Sequence, residues 1–167
     1  MDQLDALALR MMEHDSGDPR RIQHFLKVHT LARLIGRAEG LDGQTLLTLE
    51  AAALTHDIGI RPAEQKYGSC AGPLQEQEGP APARAMLAEL GFDAVLIERV
   101  CWLIAHHHTY ENVVGLDYRI LLEADFLVNL YEGGAGCDKV LSAYENIFRT
   151  EAGRRICRIM FDLGGRA

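Results

Sequence analysis

Nearly every stretch of this 167-residue chain repeats its apolar residues at three- and four-residue intervals, and nowhere does a period-two alternation persist. That spacing lines one face of a helix, whereas half-buried strands need alternation. The interruptions carry Gly, Pro and Asp, residues that start and stop helices. A first helix is expected from about Leu4 to Met12. Asp18-Pro19, an N-cap followed by proline at the first helical position, opens a second that runs to about Ala38. Gly40 and Gly43 separate it from a third, which ends at His56-Asp57 ahead of Gly59. Residues Arg61 to Gly72 (RPAEQKYGSCAG) read as a loop. A fourth helix begins near Pro80 and stops at Gly91, and a fifth, capped by Asp93, reaches His106-His107-His108. A sixth, capped by Asp117, ends at Gly133-Gly134, and one or two more fill Asp138 to Leu163. The expected fold is all-α: one domain over residues 1–167, a bundle of about seven or eight helices.

The formal net charge is −7, with no Lys/Arg run, so a long nucleic acid is excluded as a partner while a small phosphorylated substrate is not. No apolar run approaches the ~18 residues of a membrane span. The first residues, MDQLDALALRMMEHD, are acidic and amphipathic, unlike a signal peptide. Cys70, Cys101, Cys137 and Cys157 are widely spaced without a CxxC, the pattern of reduced thiols in a cytoplasmic protein. Oligomeric state leaves no trace in the sequence.

Several polar residues fall on the apolar stripes. His24 shares a face with Val28, Leu31 and Ile35, and His56 one with Leu46, Leu49 and Ala53. Asp57 follows at that helix end, and Asp125 lies among Leu121, Ala124 and Val128. On the fifth helix Leu96, Val100 and Leu103 lead to His107, and Ile97, Cys101 and Ile104 to His108; His106 follows Arg99 and Leu103. A lone inward histidine is usually a satisfied core residue, and a lone aspartate can pair with an arginine. Here, however, inward residues of metal-binding type come from three separate helices. Imidazole nitrogen and carboxylate oxygen suit a borderline divalent cation, and a buried carboxylate needs a cation or strong hydrogen bonds.

The ordered set of His24, His56-Asp57 and Asp125, in the settings HFLKVHTLARLIG, AAALTHDIGI and LLEADFLVN, resembles the HD-domain superfamily of metal-dependent phosphohydrolases over residues 20–132. The resemblance implies that these four residues bind one divalent metal: Fe, Mn, Co, Zn or Ni. Some branches add three histidines for a second metal. His107-His108 resembles two of them, while the position of the third, four residues before Gly79, holds Gln75. Glu78 is the nearby carboxylate available to a second site or to proton transfer. After the histidines the chain reads TYENVVGLDY, unlike the GYP segment of the cyclic-dinucleotide phosphodiesterases.

On this resemblance, a water acidified by the metal attacks a phosphate monoester, nucleotide or phosphodiester. Asp57 orients or deprotonates that water, His107 or His108 serves the leaving oxygen or a phosphate, and Lys66 is a candidate phosphate contact. Lys27 and Arg84 are weaker candidates of the same kind. Two alternatives stay open: a di-iron oxygenase on the same scaffold, and a metal-binding regulatory module without turnover.

Overall fold

The computed structural model describes residues 2–164 and is helical wherever it is regular. Ten helices follow in order: α1 (Gln3–His14), α2 (Pro19–Ala38), α3 (Gly43–Thr55), α4 (Ile60–Tyr67), α5 (Gly72–Glu78), α6 (Pro80–Glu89), α7 (Ala94–Ile104), α8 (Leu116–Glu132), α9 (Cys137–Asn146) and α10 (Glu151–Phe161). The all-α architecture is therefore as expected, with two short helices, α4 and α5, beyond the seven or eight anticipated.

At the centre lies α3, every residue of which from Thr48 to Thr55 is buried. A helix covered all round must be surrounded by others, and α1, α2, α7 and α8 pack against it. Three of these carry stripes into one continuous core: Phe25, Val28, Ala32 and Ile35 from α2; Leu96, Val100 and Leu103 from α7; Leu121, Leu127 and Val128 from α8. Pairs α4–α5 and α6–α7 close one side, while α9 and α10 lean on α8. There the buried Glu123 of α8 accepts the backbone N–H groups of Arg149 and Thr150 at the start of α10. No helix among the described residues is long and apolar enough to cross a membrane.

Local chemistry explains most boundaries. The Asp18 carboxylate accepts the Arg21 N–H and caps α2, with Pro19 in the first turn. Asp93 accepts the N–H groups of Val95 and Leu96 and caps α7. Two expectations need correction. The loop expected over Arg61–Gly72 is largely helical: Pro62 lies in the first turn of α4, where proline's missing N–H costs nothing, and Gly68 ends the helix in the left-handed region at φ 65°. Asp117 does not cap α8. That N-cap is Gly115, and Asp117 instead pairs with Arg99 at 2.8 Å, tying α8 to α7.

Close backbone approach positions the wall of the site. A Cβ on Gly59 would collide with the Gln75 carbonyl and lie 2.8 Å from the Gly79 nitrogen, so only glycine lets α4 start against the α5–α6 junction. A Cβ on Gly72 would lie 2.8 Å from Cγ of His108, so the start of α5 leaves room for that ring.

Candidate metal centre

His24 projects from the second turn of α2, His56 and Asp57 from the C-terminal end of α3, His107 from just beyond α7, and Asp125 from the middle of α8. Their polar atoms converge. His24 Nε2 lies 3.2 Å from His56 Nε2, 3.2 Å from Asp125 Oδ1 and 3.5 Å from Asp57 Oδ2. His56 Nε2 is 3.5 Å from both Asp57 Oδ2 and Asp125 Oδ1. The second oxygen of Asp57 turns the other way, 3.5 Å from His107 Nε2. Donor atoms of His24, His56 and Asp57 all fall within 4.8 Å of one another, as do those of Asp57, His107 and His108.

What these atoms need follows from the outer side of each ring. Backbone carbonyls only accept, so Nδ1 of His56 donates to Ala53 O (2.9 Å) and Nδ1 of His107 to Ile104 O (2.7 Å). Nδ1 of His24 faces the Glu132 carboxylate at 3.0 Å. In the neutral rings each Nε2 therefore presents a lone pair inward, toward Asp57 and Asp125 for His24 and His56 and toward Asp57 for His107. Lone pairs facing anions repel unless a cation lies between them. His107 Nε2 is buried with no hydrogen-bond partner among the described residues, which makes the same demand. The donor set thus fits a divalent metal.

Without a metal, protons meet that demand. Burial pulls the pKa of His56 down, but the Asp57 and Asp125 carboxylates outweigh it and push it up to about 9. His24 is raised too, its desolvation overcome by the bond to Asp125 and by both aspartates. Burial raises Asp57 and Asp125, yet the facing imidazoles hold both well below the ordinary carboxylate range. His108 is shifted down by burial and by its neighbour His107.

His24, Asp57 and Asp125 line an open cleft of about 480 Å3, while His56 and His107 stay buried; its lining also includes Arg20, Arg21, Gln75, His108, Asn129 and Glu132. Asp57 is the more accessible of the two aspartates, its side chain 23% exposed against 7% for Asp125. Gln75 donates through Nε2 to the Cys70 carbonyl at 2.6 Å. That turns its amide oxygen toward His108 Nε2, 3.1 Å away, which must donate. Glu76 accepts the His108 backbone N–H at 2.9 Å and fixes the segment after α7.

Other sequence candidates lie elsewhere. Lys66 pairs with Glu78 at 3.0 Å on the exposed side of α4 and does not line the cleft. Glu78 is engaged by Lys66, Tyr67 and Gln77. Arg84 pairs with Glu98, Lys27 pairs with Glu132 at 2.7 Å, and His106 stacks on Trp102 at 4.1 Å. Arg20, Asn129 and Glu132 were not singled out from the sequence. Helical spacing offered a signal: Arg20 stands four residues before His24, and Asn129 and Glu132 four and seven after Asp125.

An all-helical frame closing on inward imidazole and carboxylate donors defines a helical metal-site protein. A family model, the HD domain, matches residues 21–130, and the chain belongs to that family, within a superfamily of metal-dependent hydrolases. Among solved structures, a predicted HD superfamily hydrolase from an uncultured Thermotogales bacterium is similar over 98% of this chain and 85% of its own, with 26% identity and a TM-score of 0.65. No curated protein matches the chain.

Proposed function

We propose that this protein is a metal-dependent phosphohydrolase, cleaving a small phosphate monoester, nucleotide or phosphodiester at one ion held by His24, His56, Asp57 and Asp125. The observation that carries the proposal is the inward convergence of imidazole lone pairs and two carboxylates at the floor of a cleft open to solvent. Held there by His24, His56, Asp57 and Asp125, a divalent cation (Fe, Mn, Co, Zn or Ni) would supply Lewis acidity, lowering the pKa of a water and polarising a phosphoryl oxygen.

The protein's own groups supply the rest. Asp57 directs Oδ2 toward His24 and His56 and keeps Oδ1 on the His107 side, so it can orient the attacking water and accept its proton. His107, with Nδ1 committed to Ile104 O, offers a lone pair from Nε2 and suits a base or ligand better than an acid. His108 lines the cleft, but its Nε2–H is spent on the Gln75 oxygen and burial lowers its pKa, so it is poorly suited to the phosphate or leaving-oxygen role expected of it. Arg20 replaces Lys66 as the expected anion contact, because it lines the cleft. A second metal is disfavoured by the hydrogen bond that commits His108 Nε2 to Gln75, and a di-iron oxygenase with it.

The test is turnover of a panel of phosphate esters with Mn²⁺, Co²⁺, Fe²⁺ and Mg²⁺, beside metal analysis of Asp57→Ala. Activity in the wild type, with metal and activity lost together in Asp57→Ala, is the expected result. Stoichiometric metal in that variant, or no ester cleaved by metal-loaded wild type, would sink the proposal.

A further inference from the structure

His24 differs from the other two inward histidines in how its ring is held. His56 and His107 stand at helix ends, where the last carbonyls lack intrahelical partners and can accept from Nδ1. His24 lies in the second turn of α2, whose carbonyls there are occupied by the helix itself. Its ring needs an acceptor from another element.

Glu132, in the last turn of α8, meets that need, with Oε2 3.0 Å from His24 Nδ1. Its other oxygen takes Lys27 Nζ at 2.7 Å, one turn along α2 from His24. The position is unfavourable for an acid on local grounds: a carboxylate in the last helical turn faces the negative end of the helix dipole. The side chain is also only 16% exposed. A residue that breaks a local rule and is compensated by specific partners marks a functional constraint.

We propose that Glu132 is a positioning residue for the metal-binding imidazole of His24, with Lys27 holding Glu132 in place. By accepting the Nδ1–H, Glu132 selects the tautomer whose Nε2 lone pair points at the site, fixes the ring plane and raises its basicity. His24 is therefore the imidazole of the cluster that is backed by an ionised group; His56 and His107 are backed by neutral carbonyls. The proposal rests on the metal-site reading above but not on the reaction assigned to it.

The experiment is a Co²⁺ competition titration against a chromophoric chelator, on wild type, Glu132→Ala, Glu132→Gln and Lys27→Met. Circular dichroism and thermal melts establish that each is folded. Glu132→Ala is expected to bind about 10- to 100-fold more weakly, the usual range for removing such an outer partner. Glu132→Gln, whose amide oxygen can still accept from Nδ1, should recover part of the affinity, and Lys27→Met should lose less than Glu132→Ala. The visible spectrum of bound Co²⁺ should shift in Glu132→Ala and return toward wild type in Glu132→Gln, a pattern that general loosening of the fold does not produce. An affinity in Glu132→Ala indistinguishable from wild type overturns the proposal, as does a Glu132→Gln spectrum no closer to wild type. Wild type that binds Co²⁺ but cleaves no phosphate ester faults the reaction alone, whereas wild type that binds no metal overturns both.

Discussion

Replacing Gln75 with histidine should add a second metal to the single ion proposed above. Gln75 is buried, accepts from His108 Nε2 at 3.1 Å and donates to the Cys70 carbonyl at 2.6 Å. Histidine there adds a third imidazole next to His108, whose ring centroid lies 4.0 Å from that of His107. In chelator the change removes the bond to Cys70, worth about 1 kcal/mol net. For a chain of this size that lowers Tm by roughly 2–4 °C. With free metal at about 100 times the Kd of the new site, binding contributes about 2.7 kcal/mol. The Tm difference from wild type should therefore change sign, from below in chelator to above in excess Mn²⁺ or anaerobic Fe²⁺. Stabilisation from the shared first site cancels in that comparison. Elemental analysis should move from one ion per chain toward two. If wild type already holds two ions, or if Gln75→His gains neither an ion nor metal-dependent stability, Gln75 is not what restricts the site.

His107→Ala should keep one metal but lower turnover by about 10²-fold or more, as expected for loss of a proton-transfer group; an unchanged rate with metal bound would make His107 a packing residue. Lys66→Ala should leave kcat/KM unaltered while Arg20→Ala raises KM, because Lys66 is spent on Glu78 and Arg20 lines the cleft; steady-state kinetics on the best ester decides this, and the reverse order would refute it. Metal-free protein should lose stability as pH rises from about 6.5 to 9. His56, whose pKa is raised to about 9, contributes stability that is complete below its unfolded pKa and gone above its folded one. Asp57 and Asp125, both depressed, contribute above about pH 4 and fail only in stronger acid. The unfolding free energy from urea titrations in chelator should thus decline by up to about 3 kcal/mol across that alkaline window. A flat or rising profile would contradict the protonated cluster.

Helix existence and inward phase were legible from the residues because both depend on local periodicity. Asp18-Pro19 and Asp93 announced their helices since an N-cap is satisfied within a few residues. Asp117 misled for the converse reason: its partner, Arg99, lies on another helix. The segment Arg61–Gly72 misled because its glycine and proline suggest a loop, while Ala63 buried against the neighbouring elements holds α4 in place.

The site divides in the same way. That His24, His56, Asp57, His107 and Asp125 carry metal-binding chemistry on inward faces is a property of residue type and helical spacing, and the chain alone determined it. Tertiary structure decided which of their nitrogens face the cluster, since Nδ1 is claimed by Ala53 O, Ile104 O or Glu132 according to where each helix ends and crosses. It also decided that Lys66 is consumed by Glu78 and His108 by Gln75. The physical reason is range: periodicity and capping act over one or two turns, whereas the site's hydrogen bonds reach partners as far as 108 residues away, as from His24 to Glu132.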